Sequence, residues 1–339
     1  MAWVPATLST AIACAVVLAA GCSSGASDSH SHGGSPTRDG ASTAATGRAP
    51  AKTAPAALRA ATAGQLPAPV QLPAVAKAPG GGVVVAGGLN EADSSVASIL
   101  LVDRGRSRVL GTLPTALHDA AAATLGHDTY FFGGGGISGS SADIQRISAA
   151  GRVTQAGRLP RAASDIEAAA VGGTAYLVAG YTGSESLRSI VAYRPGTAPR
   201  TVAQLPVALR YAAVDAVGGR VLIAGGTSGT SLSRAVFSFD PATRKVRRLG
   251  TLPVALTHAA GAGWRGAFYV IGGRHSLLGA QTRQILRVDP ASGTVRPAGQ
   301  LPRALSDTAA VAESAGMTVI GGRDSSGRAR AEILSVRAR

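Results

Sequence analysis

The sequence predicts an all-β ring of six radially packed sheets, and three markers spaced along it carry that prediction. Leu-Pro recurs at Leu72, Leu113, Leu159, Leu205, Leu252 and Leu301, in steps of 41, 46, 46, 47 and 49 residues. Next comes an apolar run closed by a glycine phrase: Gly87-Gly88, Gly133-Gly134, Ala179-Gly180, Gly225-Gly226, Gly272-Gly273 and Gly321-Gly322. Further on stands a β-branched residue with a second large apolar residue three positions later: Ile99 and Val102, Ile144 and Ile147, Ile190 and Tyr193, Val236 and Phe239, Ile285 and Val288, Ile333 and Val336. Three markers in phase six times define a repeat of about 46 residues, a period typical of propeller blades and helical arrays.

The fourth copy shows why the unit is β. Tyr211 to Val217 alternates loosely and ends at the turn Gly218-Gly219, after which Arg220 to Ala224 is a continuous apolar strand suited to burial on both faces. Leu232 to Asp240 is a third strand, closed by Asp240-Pro241-Ala242-Thr243, where proline presets the turn. Lys245 to Gly250 is charged, as an exposed edge strand should be. Four short strands cannot cover their own faces, so each sheet must pack on its neighbours around an axis, giving a six-bladed β-propeller. The glycine phrase then serves a close approach of backbones or a positive φ near that axis.

An apolar run, a double glycine and a strand ending in Asp-Pro, at this period, resemble the kelch repeat. The resemblance covers Gln65 to Arg339, and five of the six copies keep both glycines. It implies four-stranded antiparallel blades with loops from two positions of each blade gathered on one face. Two features depart from the pattern. The tryptophan of the fourth strand is replaced, for instance by Val246 and Val295, and the tyrosine of the third survives as Tyr193, with Phe239 nearest to it. The sixth copy stops at Arg339 after its third strand, so QLPAPVQ at Gln65 to Gln71 is expected to supply the missing fourth strand. This three-plus-one closure removes exposed sheet edges.

The amino-terminal part reads as an address. Ala6 to Ala20 is an apolar stretch of signal-peptide length, and Gly21-Cys22-Ser23-Ser24 resembles the lipobox of bacterial lipoproteins, of actinobacterial type given the Ala-, Gly- and Arg-rich composition. That resemblance implies a signal peptide over 1–21, cleavage before Cys22 and lipidation (palmitate) of Cys22, anchoring the protein to the outer face of the cytoplasmic membrane. No Lys or Arg precedes the apolar core, and Leu18 stands four residues before Cys22. Residues 22–64 are rich in Ser, Gly, Ala and Pro and poor in large apolar side chains, so a disordered tether is expected, with His30 and His32 as solvated spacer. Its end-to-end span would be on the order of 35 Å. The chain's two cysteines, Cys14 and Cys22, leave none to staple the ring.

A formal charge of +15, from 33 Lys and Arg against 18 Asp and Glu, favours anionic surroundings. Nucleic acid is not expected, because no aromatic residues are interleaved with the basic ones for base stacking. Sites of chemistry are thin. GTSGT at Gly226 to Thr230 lacks nucleophile-elbow spacing, and GGGG at Gly133 has no following Lys-Ser or Lys-Thr. His118-Asp119 and His127-Asp128 are adjacent pairs without a metal-ligand framework. No cofactor or metal is expected.

One polar ring stands out against alanine-rich surroundings. Five residues past each repeat proline come Ala78, Asp119, Asp165, Tyr211, His258 and Asp307. After the glycine phrases come Asn90, Tyr181, Thr227, Arg274, His275, Arg323 and Asp324. The kelch resemblance brings both sets to one mouth of the central channel, where convergent polar groups make a binding site. The ligand-binding candidates are Asp119, Asp165, Tyr211, His258, Asp307, Arg274 and Arg323. The same residues could instead cap backbone groups and bridge blades. The expected function is a lipid-anchored extracytoplasmic binding or scaffold module, a monomer, holding an envelope protein or a glycan at this funnel. The alternatives are a carbohydrate-active enzyme, an epimerase or lyase using His258 with Asp119, Asp165 or Asp307, and electrostatic adhesion to anionic envelope polymers through strands such as TRKVRR, Thr243 to Arg248.

Overall fold

The computed structural model of the chain describes residues 57–339. The expected leader, Cys22 and most of the expected tether lie outside the described residues. Among the described residues no helix is long and apolar enough to cross a membrane. All regular structure there is β, arranged as six four-stranded antiparallel sheets with three short two-stranded ribbons beside them. The fourth blade is representative: strands Ala213–Val217, Arg220–Ala224, Ala235–Asp240 and Lys245–Thr251 run in order from the axis outward. The turns expected at Gly218-Gly219 and after Asp240 are in place, and the first and third strands start later than Tyr211 and Leu232. The second strand is buried along its length after Arg220, and the fourth is largely exposed.

Six hydrophobic clusters hold the ring, and each joins two adjacent blades. Between the first and second blades Val84 and Ile99 meet Phe131 and Ile147; between the sixth and first Ile320 and Ile333 meet Val83 and Val102. The third marker supplies the centre of these cores: Ile99, Ile144, Ile190, Val236, Ile285 and Ile333 are all at most 1% exposed. Full burial of such a side chain contributes about 1.5–3 kcal/mol. Several arginines act inside the blades. Arg188, Arg234 and Arg283 donate through Nε to the carbonyls of Leu205, Leu252 and Leu301 at 2.9–3.0 Å, satisfying the leucine carbonyl of these three Leu-Pro pairs.

The closure is three-plus-one, with a longer clasp than the sequence suggested. Strand Leu58–Val70 pairs antiparallel with Arg330–Ala338 and completes the last blade. The propeller therefore begins at Leu58, not at Gln65. The segment LRAATAG reads as tether because it is poor in apolar residues, yet strand pairing uses main-chain groups and needs a single apolar anchor, here the buried Leu58 in the cluster with Trp264 and Met317. The same strand corrects the phase of the first repeat. Leu66-Pro67, not Leu72-Pro73, is the counterpart of Leu113-Pro114; the step becomes 47 residues, in line with the others. Leu66 is 5% exposed, buried like its five counterparts.

The glycine phrase makes the seam between blades. The amide of its second residue donates to a carbonyl of the segment leading into the next blade: Gly88 to Leu117, Gly134 to Ala163, Gly180 to Leu209, Gly226 to Leu256, Gly273 to Leu305 and Gly322 to Val70, all at 2.8–2.9 Å. First positions have φ of 58–70° and second positions 90–112°. The first range is left-handed helical and admits alanine at some cost, as Ala179 demonstrates; the second is open to glycine alone.

Candidate functional site

At the start of each inner strand, two residues before it, sits a residue with positive φ: Leu72, Asp119, Asp165, Tyr211, His258 and Asp307, all between 52 and 57°. None is glycine, so each costs about 1–2 kcal/mol of backbone strain. The left-handed turn lets each amide face the neighbouring blade. Leu72 donates to Asp307, Asp119 to Leu72, Asp165 to Asp119, Tyr211 to Asp165, His258 to Tyr211 and Asp307 to His258, at 2.7, 3.2, 2.8, 3.4, 3.1 and 3.0 Å. Six backbone hydrogen bonds thus form a closed circle around the axis. Ala78, expected in this ring, lies just past the far end of the strand Ala74–Lys77; Leu72 takes its place, because the true first repeat begins at Leu66-Pro67.

The residue before each ring position bridges to the residue after the glycine phrase: Gln71 to Leu89, His118 to Gly135, Ser164 to Tyr181, Arg210 to Thr227, Thr257 to Arg274 and Ser306 to Arg323. The two loop sets therefore converge on one mouth. Five of the sequence candidates lie in the ring itself, and Arg274 and Arg323 lean in from the second set. Others in that set order their own loops. Asn90 accepts from the amides of Ala92 and Ser94, Asp324 from those of Ser326 and Arg328, and His275 bonds the carbonyl of Ala255. Of the preceding positions, His118 was considered in the sequence only as a metal ligand, and Gln71, Ser164, Arg210, Thr257 and Ser306 escaped it, although every one is polar in alanine-rich surroundings.

Two guanidinium–carboxylate pairs dominate the mouth. Arg210 pairs with Asp165, donates to the Tyr211 hydroxyl at 2.9 Å and stacks 4.0 Å from the Tyr181 ring centre. Arg274 lies 3.7 Å from Asp307 and donates to His258 Nε2 at 2.8 Å. A guanidinium only donates, so Nε2 is the acceptor and the ring proton sits on Nδ1, bonded to Thr257 Oγ1 at 3.0 Å. Burial, then Arg274 and Arg210, hold the imidazole's pKa well below its ordinary value. His258 is therefore neutral, stacked against Tyr211 with ring centres 3.6 Å apart, and its lone pair is occupied. Burial pushes the Asp165 and Asp307 carboxyls up while Arg210 and Arg274 respectively pull them back. Burial likewise raises the Tyr211 phenol. Arg323, at the rim, is 3.6 Å from Asp93.

Asp119 is the exception. Its side chain is 7% exposed and accepts no hydrogen bond; its nearest charged-type neighbour is His118 Nε2 at 3.9 Å. Burial, followed by Asp165 and Asp307, raises its carboxyl well above the ordinary range. The space enclosed at the ring is small, about 40 Å³, between Leu72, Asp119, Asp165, Tyr211, His258 and Asp307. Below it the channel widens to about 470 Å³, lined by Ala76, Ala122, Ala168, Ala216, Gly261 and Ala310. Two acids face this alanine wall. Glu167 is reached by water yet enclosed by protein, which with Asp215 pushes its carboxyl up to about 8. Burial takes Asp215 to about 6 against hydrogen bonds from the Gly263 and Ala216 amides. Among the described residues no group of three or more His, Cys, Asp or Glu is arranged to hold a metal ion.

This architecture is a six-bladed β-propeller, as a kelch-like repeat implies. Residues 208–253, which bracket the fourth blade, match the family described as Kelch motif. A solved structure described as "Structure of YjhT" superposes with a TM-score of 0.67 at 15% identity, over 80% of this chain and 98% of that one, a likeness of fold. No curated protein matches the chain. A propeller with a mouth of convergent polar groups is suited to a binding or scaffold module.

Proposed function

We propose that the protein is a lipid-anchored extracytoplasmic binding module that holds a protein or glycan partner at the mouth of its channel. The observation that carries this reading is the rigid donor set: Arg210 and Arg274 are fixed by Asp165 and Asp307, on a ring whose backbone is locked by six hydrogen bonds. Preorganised polar groups at a concave mouth bind without ordering cost. The fixed tautomer and occupied lone pair of His258 favour binding over proton transfer, since a general base needs a free lone pair within reach of substrate. The membrane attachment rests on Gly21-Cys22.

The test is capture from an envelope fraction by the full chain and by Arg274→Ala with Tyr211→Ala. A partner retained by the first and lost by the second supports the mouth; equal retention sinks it. Cys22→Ser should move the protein from membrane to soluble fraction, and an unchanged distribution would remove the anchor from this reading.

A further inference from the structure

In a chain of net charge +15 the centre of the mouth gathers three carboxyl groups, Asp119, Asp165 and Asp307, and two guanidinium groups, Arg210 and Arg274. Asp165 and Asp307 each have a guanidinium, whereas Asp119 has none, although it lines the same small cavity. Its side chain is more than nine-tenths buried and without a hydrogen-bond donor, a costly state for a carboxyl group unless something completes it. His118 cannot serve as the missing cation: burial lowers its pKa, and Nδ1 is engaged with Ser95 Oγ at 2.8 Å. The size of the gap limits the group that fits. About 40 Å³ is a few times the roughly 10–15 Å³ that a single water needs, enough for an ammonium head and too little for a sugar ring.

We propose that the mouth is a socket for a primary ammonium group on a slender alkyl stem, supplied by a lysine side chain of a protein partner, with Asp119 as its counter-ion. This rests on the reading of the mouth as a binding site and names the chemistry it selects. The three donors of an ammonium match the surroundings. One bonds Asp119, and the others face the oxygens of Asp165 and Asp307, whose charges are only partly offset by their arginines. Burial is the main cause of the raised Asp119 carboxyl, and the second cause, the nearby Asp165 and Asp307 carboxyls, is the field that would attract a cation. Seating an ammonium there favours the ionised carboxylate, so binding is linked to proton release from Asp119.

The experiment is an NMR titration of the full chain with the peptide acetyl-Gly-Lys-Gly-amide, its Nζ-acetylated form, and glucosamine, repeated with Asp119→Asn. The expected result is saturable binding of the lysine peptide, with shifts at the amides of Asp119 and Ala120. Acetylation of the lysine, or Asp119→Asn, should weaken it about tenfold, the scale of one charge-assisted hydrogen bond. Calorimetry in two buffers of different ionisation enthalpy should show proton release for the wild type and none for Asp119→Asn. Because Asn has the shape of Asp and carries no charge to desolvate, thermal stability should be equal or higher, separating lost binding from lost fold. Equal binding of the acetylated peptide, tighter binding of glucosamine, or no binding of the lysine peptide at millimolar concentration overturns the socket. Tighter glucosamine binding at the same amides would leave the mouth itself intact as a binding site, whereas partner capture indifferent to the mouth variants would remove both.

Discussion

The amide of Leu72 donates to the carbonyl of Asp307 at 2.7 Å, the shortest of the six bonds around the axis. It joins the segment that opens the ring to the blade that closes it, so the seam of the propeller lies at the mouth and not only at the outer clasp. Leu72→Pro removes the donor and forces φ to about −65°. It should cost about 3 kcal/mol or more. Leu72→Gly keeps the donor and relieves about 1–2 kcal/mol of strain against about 1 kcal/mol of chain entropy. Urea denaturation of the two variants should separate them widely; equal midpoints would show that the circle contributes nothing.

The clasp makes a second prediction. Leu58 is 3% exposed and packs with Trp264 and Met317 of two blades. Leu58→Ala should lose about 2–4 kcal/mol. A chain begun at Gln65 would leave much of Arg330–Ala338 as an open edge and should self-associate, which sedimentation would detect. A monomeric, equally stable truncation would contradict this role of Leu58–Gly64.

Neighbouring positions of one glycine phrase should respond in opposite ways. Gly180 has φ of 112°, and a Cβ there would lie 2.0 Å from Ile166 Cγ2. Gly180→Ala is expected to cost about 3 kcal/mol or more, steric clash adding to backbone strain. Ala179→Gly, at φ of 60°, should change stability by about 1 kcal/mol or less. Thermal melts of the pair decide it.

The channel acids set a pH dependence. Glu167 rises from 4.5 to about 8 in the folded protein. Between those values the native state holds a proton that the unfolded chain releases, so stability falls as pH climbs through the window and levels off above it. Asp215 acts in the same direction between 3.8 and about 6. Glu167→Gln should therefore gain on the wild type as pH rises toward 8. Water in the channel screens the charge, so the gain should be on the order of 1 kcal/mol, or about 2–4 °C in Tm. A constant difference between pH 4.5 and pH 8.5 would show that Glu167 does not titrate in this window.

What could be read directly were the features that depend on spacing and local chemistry. Ile99 and its five counterparts, the glycine phrases and the turns at Gly218-Gly219 and Asp240-Pro241 each follow from rules acting over a few residues, and the repetition of those rules gives the number of blades. The ring residues Asp119, Asp165, Tyr211, His258 and Asp307 were legible for the same reason, as polar residues at a fixed offset in alanine-rich strands. Leu58–Gly64 was not, since its pairing is with a strand at the opposite end of the chain and its side chains are small.

Other features belong to the tertiary structure. Two Leu-Pro pairs six residues apart, at Leu66 and Leu72, are equivalent as text; only the hydrogen bonds of Leu72 to Asp307 and from Asp119 fix which begins the ring. Arg210 pairs with Asp165, Arg274 with Asp307, and Asp119 with no cation, partnerships set by which blades stand side by side at the axis. The letters decide that acids and arginines are present. Their charge states and roles depend on enclosure and on neighbours about 46 residues away, because the energies of buried charges are fixed by distances that only the closed ring creates.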